Sequence, residues 1–125
     1  MVSAKALEIL RANTKKFIDE DPRAVVLMRA PRLPTGTGGA RRGAAVAQPV
    51  QTMRLIPQAE TTSTERRLPD GAVVVPTWVL LAEHTGNMLR GDELSLPDGG
   101  VGEVVYVHEK KLYHIKGEVV ARGAR

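Results

Sequence analysis

The sequence predicts a mainly β protein, a small antiparallel β-barrel or sandwich of about six strands with one N-terminal α-helix and a long Gly/Arg-rich loop. Hydrophobic residues make up 42% of the 125 residues but aromatics only 3%, so the core has to be built from Val, Leu, Ile and Ala. Beyond Pro22 the apolar runs are short and punctuated by Pro, Gly and Asp, which is the spacing of strands and turns. Only the first part of the chain carries a helical pattern free of Pro and Gly. One compact domain suits this length, which hides roughly two-thirds of its unfolded-chain surface. It divides into a helix and junction over residues 1–21 and a β-barrel domain over 22–125, with the long loop at 31–49.

Residues 3–18 read as the helix: Ser3 can cap it, and Leu7, Leu10, Phe17 and Ile18 lie near one face. The Asp19-Glu20-Asp21-Pro22 junction ends it, because Pro22 disfavours helix at Asp21. Acids at a helix C-terminus oppose the dipole, so this end is expected to fray or to pair with a basic neighbour. The narrow apolar stripe marks the helix as an element that docks on the barrel or on a neighbouring protein.

The run 24–28 is short, apolar and β-branched, hence a strand. Residues 31–49 break the pattern with Pro31, Pro34, Gly36, Gly38, Gly39 and Gly43, a loop expected to be mobile in the free protein. Residues 49–57 resume as a strand, and Leu68-Pro69-Asp70-Gly71 marks a turn. The run 72–83 is the strongest strand signal, with Pro76 placing an edge or a bend inside it. Turns at Arg90-Gly91-Asp92 and 97–100 flank a short strand at 93–96. Residues 102–108 and 112–122 form a closing hairpin, with Ile115, Val119 and Tyr113 alternating against His114, Lys116, Glu118 and Arg122. A three-residue loop, 109–111, would set Val105 and Val107 beside Tyr113 and Ile115 in the core.

Chemical signatures are sparse. With no cysteine, disulfides, thiolate metal sites and thiol catalysis are excluded. Pro34-Thr35-Gly36-Thr37-Gly38-Gly39 lacks the Gly-Lys-Ser/Thr ending of a phosphate loop. His84, His108 and His114 lack a third ligand pattern and read as exposed strand histidines, and no serine sits in a nucleophile context. Arg90-Gly91-Asp92 spells an adhesion tripeptide that turn composition already explains. No enzyme, metal or cofactor is expected. With no apolar run near the ~20 residues of a membrane span and no signal peptide, the chain reads as soluble and unexported.

The charge is more informative. From residue 22 to 59 there is no Asp or Glu, while Arg23, Arg29, Arg32, Arg41, Arg42 and Arg54 supply more than the whole net charge of +4. Such a segment suits phosphates or an acidic protein face equally. Phe17, Trp78, Tyr106 and Tyr113 are the only aromatics, too few for a base-stacking platform.

The order of elements resembles the head-to-tail stopper, or head-completion, proteins of long-tailed bacteriophages, notably those of actinobacterial hosts. The residues that carry the likeness are the N-terminal helix, 24–29, Arg54-Leu55-Ile56-Pro57, Glu65-Arg66-Arg67-Leu68-Pro69-Asp70-Gly71, 73–83, Gly91-Asp92, 102–107 and 113–123. The resemblance implies a structural virion protein, made in the host cytoplasm, forming a homo-oligomeric ring in the phage neck. It would retain packaged DNA, contact that double-stranded DNA without sequence specificity, and join portal and adaptor proteins to the tail terminator or tail tube. The channel or partner-contact segment would be the loop with Arg32, Gly36, Gly38, Gly39, Arg41 and Arg42, and the neighbour-docking helix that of Leu7, Leu10, Phe17 and Ile18. The alternatives are a tail terminator or adaptor-like neck protein, and a monomeric, sequence-nonspecific nucleic-acid-binding barrel.

Overall fold

The computed structural model describes residues 3–30, 32–34, 40–58, 64–68 and 71–122, with 32–34 and 40–42 described through their backbone. Helix α1 spans Ala4–Asp19. The Ser3 hydroxyl accepts from Ala6 N–H at 3.1 Å, which satisfies one of the orphan donors of the first turn. At the other end the acids are partnered: Lys15 reaches Asp19 at 2.8 Å, and Arg54 meets Glu20 at 3.4 Å and the Phe17 carbonyl at 2.9 Å.

Twelve strands follow among the described residues: β1 Arg23–Val25, β2 Met28–Arg29, β3 Arg32–Pro34, β4 Ala40–Arg42, β5 Val46–Ala47, β6 Gln51–Pro57, β7 Arg66–Arg67, β8 Val73–Val74, β9 Trp78–Glu83, β10 Glu93–Ser95, β11 Val101–Val107 and β12 His114–Ala121. Eight of them form one antiparallel sheet in the order β1-β6-β9-β12-β11-β10-β2-β5. In a flat sheet β1 and β2 would stand about 29 Å apart, at ~4.8 Å per strand. Only Val26 and Leu27 separate them in sequence, and the chain from Val25 to Met28 reaches at most about 11 Å. The sheet therefore has to curl round on itself. If β1-β2 and β5-β6 are each taken as one bent strand, the pairings return to their start through Met28↔Glu93, giving six staves.

Each stave contributes to one core: Val25 and Leu27, Met53 and Leu55, Leu80 and Ala82, Ile115 and Val119, Val104, and Leu94 and Leu96. Pro76 marks a bend as expected, since it leaves β8 behind in a separate two-stranded sheet with β7 and sends the chain on into the central strand β9.

Two expectations are corrected. The described residues of 31–49 are not all irregular loop, because β3 pairs with β4 (Arg32↔Arg42, Leu33↔Arg41, Pro34↔Ala40) and β5 pairs with β2. These pairings continue the β1–β6 ladder outward. In each of the two intervals between paired blocks the returning strand gains one residue on its partner, at 48–50 and at 43–45, in the manner of a bulge. The whole is one interrupted β-hairpin arm, and its glycines and prolines hid the pairing. The second correction concerns the closing hairpin, where Val107 faces Gly117 and Val104 faces Val119, with a register shift between Val104 and Tyr106. The connection is longer than three residues, held by His108 N–H to the Lys116 carbonyl at 2.9 Å and Lys111 N–H to the His114 carbonyl at 3.2 Å. Val105 is buried, but Tyr113 leaves the core and lines the outer surface.

Candidate functional site

The outer faces of the staves carry what the core does not use. Side chains alternate along a strand, so β6, β9 and β12 send Ile56, Val79, Leu81, His114 and Lys116 away from the core and towards α1. The helix rests on this face through its C-terminal half. Near its C-terminus Ile18 is 1% exposed and Arg54 bonds the Phe17 carbonyl, with its guanidinium 4.1 Å from the Phe17 ring centroid. Further towards the N-terminus Arg11 Nε donates to the Leu112 carbonyl at 2.9 Å. Leu10, Asn13, Thr14 and Phe17 line the helix side of an open groove of about 580 Å³ against the sheet. The buried Thr14 hydroxyl is satisfied within the helix, donating to the Leu10 carbonyl at 3.0 Å. The His114 imidazole is held below its ordinary pKa by burial first, then by Lys116, Lys111 and His108.

A second outer region lies over β11 and β12. The excursion between β6 and β9 returns as the β7–β8 hairpin, whose turn uses Gly71 at φ +91° with its N–H on the Leu68 carbonyl at 2.9 Å. This flap is tied down by a fork: Arg66 Nε and its terminal nitrogen donate to the two Glu118 oxygens at 3.0 and 2.7 Å, and His108 Nε2 lies 2.7 Å from Glu118 Oε2. The Arg66 guanidinium also stacks on Tyr106, 3.7 Å from the ring centroid. Burial raises the Glu118 pKa, but the hydrogen bonds and charge of Arg66, with His108 after them, outweigh it and hold the carboxyl below the ordinary range.

A similar fork joins Arg29 to Asp92, at 2.9 and 2.7 Å, with Leu89 N–H donating to Asp92 Oδ2 at 2.8 Å. Asp92 is 1% exposed, so Arg90-Gly91-Asp92 does not present its carboxylate at the surface.

The residues singled out in the sequence are dispersed. Arg32 and Arg42 are register partners on the arm and Arg41 pairs with Leu33, whereas Gly36, Gly38 and Gly39 lie outside the described residues. Leu7 and Leu10 are half-buried and Ile18 is buried, while Phe17 remains 40% exposed. The histidines are not fully exposed, since all three are partly covered and His108 is engaged by Glu118. Sequence reasoning missed both forks. Glu118 and Asp92 occupy a strand's outward position and a turn, where acids are ordinarily solvated, and nothing local announces the arginine that buries each. No protein-family model matches the chain, and no curated protein matches it.

Proposed function

We propose that the chain is a structural protein of a long-tailed phage neck, forming a ring between the portal or adaptor and the tail that closes the head and retains DNA. The supporting observation is the arm. Among its described residues the acid-free, arginine-rich segment pairs as a β-hairpin following two barrel staves, with Arg32, Arg41 and Arg42 on its paired strands. A barrel that extends a basic ribbon suits work done by contact, and the sequence likeness to head-completion proteins runs through the same staves. Multiplied around a ring, these arginines form either a collar over DNA phosphates or forks onto carboxylates of a neighbouring neck protein. Protein pairing is the favoured role, because a collar that held DNA too strongly would hinder its exit.

Deleting the coding sequence from its parent phage should leave heads that neither keep their DNA nor acquire tails, with full-length protein restoring both. Intact infectious particles after deletion would overturn the reading. Arg41→Lys with Arg42→Lys preserves charge and removes the fork: failed tail joining with an intact fold indicates protein pairing, and normal joining indicates the collar. The same basic arm favours one second reading, a nucleic-acid-binding barrel. Salt-sensitive binding of any duplex DNA by the isolated protein, from a gene without portal and tail neighbours, would establish it instead.

A further inference from the structure

We infer that the groove between α1 and the outer face of β6, β9 and β12 is a docking site for an acidic amphipathic segment of a partner protein. The inference stands on the groove and not on the neck reading, and would survive that reading's failure.

The helix is fixed midway along its length by Arg11 on the Leu112 carbonyl and at its C-terminal end by Ile18 with Arg54 on the Phe17 carbonyl, and the groove is lined by this same half of the helix. The floor is Ile56, Val79 and Leu81, and the helix wall is Leu10 and Phe17. This apolar strip continues into solvent at Phe17, 40% exposed, and near the Arg11 anchor at Leu112, 63% exposed. An amphipathic helix or extended segment inserts spaced apolar anchors into a trough of this kind. A small molecule would be left largely uncovered, because the groove is open along its length and ligand pockets ordinarily bury 70–90% of their occupant, as a rough guide.

Charge complementarity selects the sign of the partner. The basic groups lining the groove are Lys116 and His114, with the Tyr113 hydroxyl the other ionisable group, and no carboxylate lines it. Lys116 makes no ion pair among the described residues, and Lys111 stands close enough to act on His114 electrostatically. An acidic segment would meet Lys116 and Lys111 as its apolar residues enter the trough, whereas a basic one would bring like charge to cations already unpaired.

The test uses the full-length protein, isotopically labelled, with two synthetic helical peptides carrying the same leucine anchors, one rich in Glu and one with every Glu replaced by Lys. The Glu peptide should shift resonances of Leu10, Val79, Leu81, Tyr113 and His114 and bind at least about tenfold more tightly than the Lys peptide. Lys116→Glu, on a half-exposed side chain that the fold does not require, should reverse that order. Three results would each overturn the inference: equal binding of both peptides, close methyl contacts between Leu10 and Val79 in the free protein that mean the helix closes the groove itself, or tighter occupation of the same resonances by dodecanoate than by the Glu peptide. Loss of the neck phenotype without loss of peptide binding would remove the phage reading alone.

Discussion

The inner and outer faces of β6, β9 and β12 belong to the same residues of chain and are covered in different ways. Inside, Met53, Leu55, Leu80, Ala82, Ile115 and Val119 meet side chains from the other staves and are buried. Outside, Leu81 is 9% exposed while Ile56 and Val79 are half-buried, under a helix that leaves an open groove along its C-terminal half. The difference is one of closure. A curled sheet surrounds its interior on all sides, whereas a single helix of about 10 Å diameter covers only part of three strands.

The largest effect should separate neighbouring residues of β9. Leu80→Ala, at 0% exposure in the core, should cost about 2–5 kcal/mol of unfolding free energy, because the closed interior cannot collapse around the void. Leu81→Ala, one residue on and 9% exposed beneath the helix, should cost roughly half as much or less, since the void it leaves adjoins the open groove and water can enter it. Denaturant titration of both variants measures the comparison directly, and equal losses would mean that the helix packs as tightly as the barrel.

The outer face is strongest where the flap is forked. Glu118→Gln should cost about 1.5–3 kcal/mol at neutral pH, the range for hydrogen bonds to a charged group. Because the folded pKa of Glu118 is depressed, its contribution is fully present above the ordinary carboxylate pKa of about 4.3 and is lost as pH falls through the folded value. The melting-temperature gap between wild type and Glu118→Gln should therefore narrow on acidification, and a gap independent of pH would remove the carboxylate from the account. On the inner face, Gly102→Ala should cost about 1–3 kcal/mol by overpacking. A Cβ there would meet Val119 Cγ1 at 2.8 Å and Leu96 Cδ2 at 2.9 Å, both in the core.

The smallest effect belongs to the helix start. Ser3→Ala removes the cap on Ala6 and should cost about 1 kcal/mol locally. Amide exchange should rise in the first turn of α1 while β9 and β12 keep their protection. Loss of protection in the strands as well would tie the start of the helix to the barrel, although its anchors lie in its C-terminal half.

Composition and local pattern determined the class of this protein. Few aromatics, short β-branched runs and turn residues dictated a β fold, Ser3 and Pro22 bounded the helix, Pro76 fixed the bend, and period two assigned Ile115 and Val119 inward, because each of these follows from a residue and its near neighbours. Tertiary structure decided what depends on partners distant in sequence. The arm pairs residues on both sides of a stretch dense in glycine and proline, the last hairpin takes its register from a connection longer than three residues and a bulge beyond it, and Arg66 and Arg29 reach Glu118 and Asp92 across dozens of residues. Carboxylates that local sequence would leave in water are buried because the folded chain delivers a guanidinium to each, and the groove exists because a helix anchored through its C-terminal half meets a face that alternation had only marked as outward.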